Sequence, residues 1–91
     1  MQKRKILAHI TVEEKDTGVS LNALQATYGT LLKINDYDLN KEKIKRQLIE
    51  CRQRIEDFWL KITVKYHIPI YVDKTLNIDS EKSTIYIIEE E

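Results

Sequence analysis

Hydrophobic and polar positions repeat most regularly between Asn40 and His67. Ile44, Leu48, Cys51, Ile55, Phe58 and Ile62 recur at alternating steps of four and three. That is the seam of a roughly 3.5-residue repeat, and it predicts one long amphipathic helix. Asn40 is a suitable N-cap, because its side-chain oxygen can accept a hydrogen bond from a first-turn amide. Pro69 lacks an amide proton and disfavours helical geometry before it, so the helix should end by about His67 or Ile68. At about 1.5 Å per residue it would run roughly 40 Å, longer than a compact domain of this size needs. Phe58, Trp59 and Leu60 are consecutive, and Val64 and Tyr66 follow. Three adjacent large apolar residues cannot share one narrow helix stripe. Either the C-terminal strands wrap this end as core, or one face is a contact surface with Trp59 as its anchor.

Upstream, Met1 to Lys5 reads as a basic tail. Ile6, Ala8, Ile10 and Val12 then alternate with Leu7, His9 and Thr11, the period of a strand. His9 falls opposite the Ile6 and Ile10 stripe and reads as a solvent-edge residue. Residues 13–21 support two readings. Lys15-Asp16-Thr17-Gly18 has the chemistry of a turn. Thr11-Val12-Glu13-Glu14 fits a capping box that would start a helix at Val12 and carry it through Gly18. A glycine inside a helix costs about 1 kcal/mol, which tips the reading toward the turn. A first helix is expected from Ser20 or Asn22 to about Ile34, with Leu21, Leu24, Tyr28, Leu31 and Leu32 as its apolar stripe. Gly29 either lets backbones approach or is merely tolerated. Asn35-Asp36-Tyr37-Asp38 is rich in turn formers and short, so the two helices should fold back antiparallel.

After Pro69, Ile70-Tyr71-Val72 reads as a short extended piece. Thr75 to Asp79 and Thr84 to Glu89 form a hairpin signal around Asp79-Ser80-Glu81-Lys82-Ser83. Ile85 and Ile87 share one face; Thr84, Tyr86 and Ile88 share the other. The expected architecture is α+β in the order β-α-α-β-β. A long antiparallel helical hairpin packs on a small antiparallel sheet that includes the C-terminal β-hairpin. The alternative is a purely helical core with one hairpin flap.

Ninety-one residues make one domain, 1–91. The 15 basic and 15 acidic residues cancel, so no global charge calls for nucleic acid or a membrane surface. No segment approaches the roughly 20 apolar residues of a membrane span, and the apolar run after MQKRK is too short for a signal peptide. The single Cys51 forms no internal disulfide and fits a reducing cytoplasm. It sits on the helix seam and reads as a buried thiol. His9, His67 and Cys51 do not make a metal-ligand set. There is no glycine-rich phosphate loop and no nucleophile–base arrangement. Glu56 and Asp57 point about 100° apart on a helix and cannot face one substrate together. No catalytic residue, metal or cofactor is expected.

The first functional reading is therefore a non-enzymatic protein that binds a protein or peptide partner, using the surplus apolar surface from Phe58 to Tyr66. If the strand carrying Ile85 and Ile87 lies at a sheet edge, an extended peptide could add to it. The second reading rests on charge distribution. From Lys41 to Lys65 eight basic residues face four acidic ones. Lys41, Lys45 and Arg52 lie at steps of four and seven, a stripe that nucleic acid could contact in a mobile-element or phage regulatory protein. Against it, zero net charge is unusual for such domains. A homodimer is a further expectation, because the Ile44–Ile62 seam outruns the expected first helix.

A family resemblance adds to these readings. Phe58-Trp59 near the helix end, Lys65-Tyr66 a fixed step later, Ile78-Asp79 and Ile85-Tyr86-Ile87 resemble small bacterial proteins of CXXX-repeat peptide modification systems. In those gene clusters a Cys-repeat precursor peptide is paired with radical-SAM maturases. The helical pair and Thr11-Val12-Glu13-Glu14 also look alike. The chain departs from the pattern at Phe58, where a second Trp would be typical, and at Leu76. The resemblance implies an accessory role in ribosomal-peptide maturation, by binding peptide or enzyme. It carries over no functional residues; the partner-contact candidates, Phe58, Trp59, Lys65, Tyr66, Ile85 and Ile87, come from the apolar helix end and the C-terminal strand.

Overall fold

The computed structural model describes residues 2–34, 40–71 and 73–90. The chain runs β1 (Gln2–His9), α1 (Val12–Lys33), α2 (Lys41–Lys65), β2 (Asn77–Asp79) and β3 (Thr84–Glu90). This is the expected β-α-α-β-β order. The Asn35–Asp38 loop and Val72 of the expected extended piece lie outside the described residues. No helix among the described residues is long and apolar enough to cross a membrane.

α1 begins at Val12, not at Ser20 or Asn22, so the expected turn at Lys15–Gly18 is corrected to helix. The capping box explains the early start. The Glu14 amide donates to Thr11 Oγ1 at 3.1 Å, and the Thr11 amide donates to Glu14 Oε1 at 2.9 Å. Two orphan donors of the first turn are thereby satisfied. Gly18 does not break the helix because its missing side chain is used in packing. A Cβ there would lie 2.5 Å from Ile78 Cδ1 and 2.8 Å from Phe58 Cζ. Gly29 has nothing within 4 Å of such an atom and is simply tolerated.

α2 starts as expected, with Lys43 N donating to Asn40 Oδ1 at 3.1 Å. It ends one turn short of Pro69. His67 adopts a left-handed φ of 53°. Ile68 N then donates to Thr63 O at 3.0 Å, and His67 N to Val64 O at 3.4 Å. These two bonds form a Schellman motif, and they satisfy carbonyls that the helix end would leave unpaired. Ile68, the first residue beyond the turn, is buried at 6% exposure and anchors the helix end in the core.

The two helices run antiparallel. Glu14 meets Lys65, and Leu21 reaches Cys51. The seam of α2 faces inward: Ile44, Leu48, Cys51 and Ile62 are buried, and Ile55 and Phe58 are half-buried.

The sheet order is β1-β3-β2, antiparallel throughout. β1 therefore includes Gln2–Lys5, which had read as a tail. Pairing explains why: Lys3 lies opposite Glu89, Arg4 opposite Ile88 and Lys5 opposite Ile87. The register shifts between Ile6 and Ala8. This bulge breaks the simple alternation. Leu7 packs on the core, whereas Ile6 is 52% exposed. The β2–β3 hairpin closes through Ser83 N to Asp79 O at 2.9 Å, with Ser83 at φ 53°. Ile85 and Ile87 are fully buried on β3. The core forms where Ile10, Ile62, Ile68 and Ile85 meet, with Phe58, Trp59, Tyr66 and Ile78 packed around them.

Candidate interaction site

The antiparallel packing of α1 on α2 leaves a groove along their junction. Three adjoining pockets, about 210, 400 and 230 Å³, follow one another along it. The first two share Thr17, Phe58 and Lys61, and the second and third share Leu21 and Arg54. The α1 wall is Glu14, Thr17, Leu21, Leu24 and Tyr28, at steps of three and four, so one face of the helix supplies it. From Glu14 to Tyr28 that wall spans roughly 20 Å. Phe58 and Cys51 contribute apolar atoms from α2, and Cys51 Sγ donates to Leu21 O at 3.5 Å.

The α2 rim of the groove alternates in sign: Glu50, Arg54, Asp57, Lys61. None of these four is in an ion pair or side-chain hydrogen bond among the described residues. The groove thus combines an apolar stretch around Phe58 and a more polar end at Gln47 and Glu50 with charged groups that remain available to a ligand.

One end of the groove is closed by a polar clasp. Glu14 Oε1 accepts from the Tyr66 hydroxyl as well as from Thr11 N, and Glu14 Oε2 accepts from Lys65 Nζ at 3.0 Å. Burial alone would raise the Glu14 carboxyl, but the Tyr66, Thr11 and Lys65 donors outweigh it and bring the pKa from 4.5 down to about 2. The same contact with Glu14 raises both Lys65 and Tyr66. On the sheet, Asp79 is lowered by the Lys82 and Glu81 amides and by Arg4. Both carboxylates are held by structural partners. Among the described residues no cluster of His, Cys, Asp and Glu could hold a metal.

The residues singled out from sequence fall in different places. Phe58 forms part of the groove. Trp59 meets Phe58 edge-on, 5.3 Å between ring centroids, and packs against the core. Lys65 and Tyr66 form the clasp. Ile85 and Ile87 have 0% exposure on the central strand, so the supposed edge position is corrected: β1 and β2 are the edges. In the basic stripe, Lys45 pairs with Glu42 at 3.7 Å, Lys41 is half-buried and Arg52 is exposed. The surplus apolar surface is carried by Leu60 and Val64, at 63% and 66% exposure.

The sequence reading missed the α1 wall, because Leu21, Leu24 and Tyr28 looked like ordinary core. The available signal was the residue Leu24 shares its stripe with: Tyr28 has a polar tip that suits a groove edge better than a core. Glu14 was visible only as half of a capping box. Compared with protein-family models, curated proteins and solved structures, the chain matches none.

Proposed function

We propose that this protein is a non-enzymatic interaction module whose α1–α2 groove seats an amphipathic helical segment of a protein or peptide partner. The observation that carries this reading is the groove itself, apolar around Phe58 and lined on one rim by four charges of alternating sign. Helix-in-groove recognition uses apolar anchors at helical spacing. A stretch of roughly 20 Å matches about four helical turns. The alternating rim selects a ligand helix whose own charges alternate in the opposite sense. In the setting that the resemblance implies, the partner is a precursor peptide or the enzyme that modifies it, and the protein is an accessory factor in ribosomal-peptide maturation.

The test is capture of partners from the source cells by the wild-type chain and by Leu24→Glu, with Ile70→Glu as a control. Leu24 is 41% exposed on the groove wall and Ile70 is 92% exposed away from it. Leu24→Glu should weaken the specific complex roughly tenfold or more, the loss typical of an interface anchor. Ile70→Glu should leave it unchanged. Equal binding by both variants would remove the groove from consideration.

A further inference from the structure

β1 closes one side of the sheet and pairs with β3 alone. Its other edge presents a row of backbone N–H and C=O groups, the feature that templates strand addition. The opposite edge, β2, has three residues, whereas β1 has eight. The bulge between Ile6 and Ala8 leaves Gln2–Ile6 as the regular stretch of β1. That stretch contains Lys3, Arg4 and Lys5 in succession. By the two-residue period of a strand, Lys3 and Lys5 share one face and Arg4 takes the other. An incoming strand therefore meets positive charge on both sides.

The geometry points to Gln2–Ile6 as a docking edge for an extended, acidic and apolar peptide segment, added as a fourth strand. The chain's own pairing indicates the chemistry that fits. On the occupied edge, Lys5, Arg4 and Lys3 lie opposite Ile87, Ile88 and Glu89 of β3. The intramolecular contacts of Arg4 and Lys5 leave room for a second acidic partner. Arg4 reaches Asp79 at 3.3 Å and Lys5 reaches Glu89 at 3.8 Å, yet their side chains stay 61% and 56% exposed. Exposed pairs of this kind contribute little and are readily shared. A second copy of β1 is a poorer fit, because registers centred on this stretch set like charges opposite one another. This edge is separate from the helical groove and takes a ligand of different conformation.

The experiment is an amide NMR titration of the full chain with two synthetic peptides, Val-Glu-Tyr-Glu-Val and Val-Lys-Tyr-Lys-Val, at low salt. The acidic peptide should shift the amides of residues 2–6 saturably and slow the solvent exchange of alternate ones. Binding should weaken several-fold as salt is raised. The basic peptide should not bind. The double variant Lys3→Glu, Lys5→Glu should invert that preference, with circular dichroism verifying its fold. Leu24→Glu should leave the acidic peptide bound, since it alters only the groove. No response of residues 2–6 at millimolar peptide, or equal binding of both peptides to the wild-type chain, overturns the proposal. Loss of the peptide in Leu24→Glu would place it in the groove and equally reject strand addition.

Discussion

Gly18 sits inside α1, where glycine costs about 1 kcal/mol relative to alanine. The cost is accepted because Phe58 and Ile78 occupy the space a methyl would fill. Gly29 carries the same helical cost with open space around it. The two positions should therefore respond in opposite directions to the same substitution. Gly29→Ala should raise stability by about 1 kcal/mol. Gly18→Ala gains the same propensity but forces the Phe58 ring and the Ile78 methyl aside, an overpacking cost of roughly 1–3 kcal/mol. Its net effect should be a loss of about 1 kcal/mol. Urea midpoints of the two variants check this, and a gain in both would show that the Gly18 contact is loose. The same residue explains the misplaced start of α1. Local chemistry weighed the helical cost of Gly18 against a capping box and tipped toward a turn. The compensating contacts come from positions 58 and 78, far along the chain, and no local pattern displays them.

At the scale of elements, Glu14 ties the first turn of α1 to the last turn of α2. Its carboxyl is depressed from 4.5 to about 2 because the folded state favours the ionised form. The unfolded chain binds a proton near the higher value, so the contribution is fully present above about 4.5 and fades as pH falls toward 2. Glu14→Gln keeps the size of the side chain and removes that dependence. The wild-type chain should lose stability through this window more steeply than Glu14→Gln, as read by urea midpoints. Tyr66→Phe should lower the urea midpoint near neutral pH, because it removes a hydrogen bond to the ionised Glu14 carboxylate. Parallel pH profiles for wild type and Glu14→Gln would mean that the clasp is open in solution. Elements defined by local periodicity were legible in the sequence: the α2 seam, its Asn40 cap and the β2–β3 hairpin. The position of β1 was not, because alternation was read across the Leu7 bulge and sheet order is set by long-range pairing. The same limit hid the groove. One wall was visible as a helix stripe, but facing it with Phe58, Arg54 and Lys61 required the packing of two elements.

For the whole molecule, the question is whether the long helix needs a second copy. The expectation of a dimer rested on a first helix about half as long as α2. That premise is corrected: α1 has 22 residues and α2 has 25. At about 1.5 Å per residue they span roughly 33 and 38 Å, so one can cover the other. The seam is accordingly filled from within the chain, with Leu48 at 7% and Ile62 at 2% exposure. The protein measures 48 × 30 × 26 Å. Light scattering at micromolar concentration should give a mass near 10.8 kDa that does not change on concentration. Leu48→Lys separates the two outcomes further. If the seam is intramolecular, an unpaired charge enters the core and the variant unfolds while wild type and variant remain monomeric. If α2 pairs with a copy of itself, wild type scatters as a dimer and the variant becomes a folded monomer. Ile62→Ala should cost about 2–5 kcal/mol, as expected of a residue buried by its own chain. Leu60→Ala, beside it but 63% exposed, should change stability by no more than about 0.5 kcal/mol. A large effect at Leu60, rising with protein concentration, would reveal that the outer face of α2 is covered by a second copy after all.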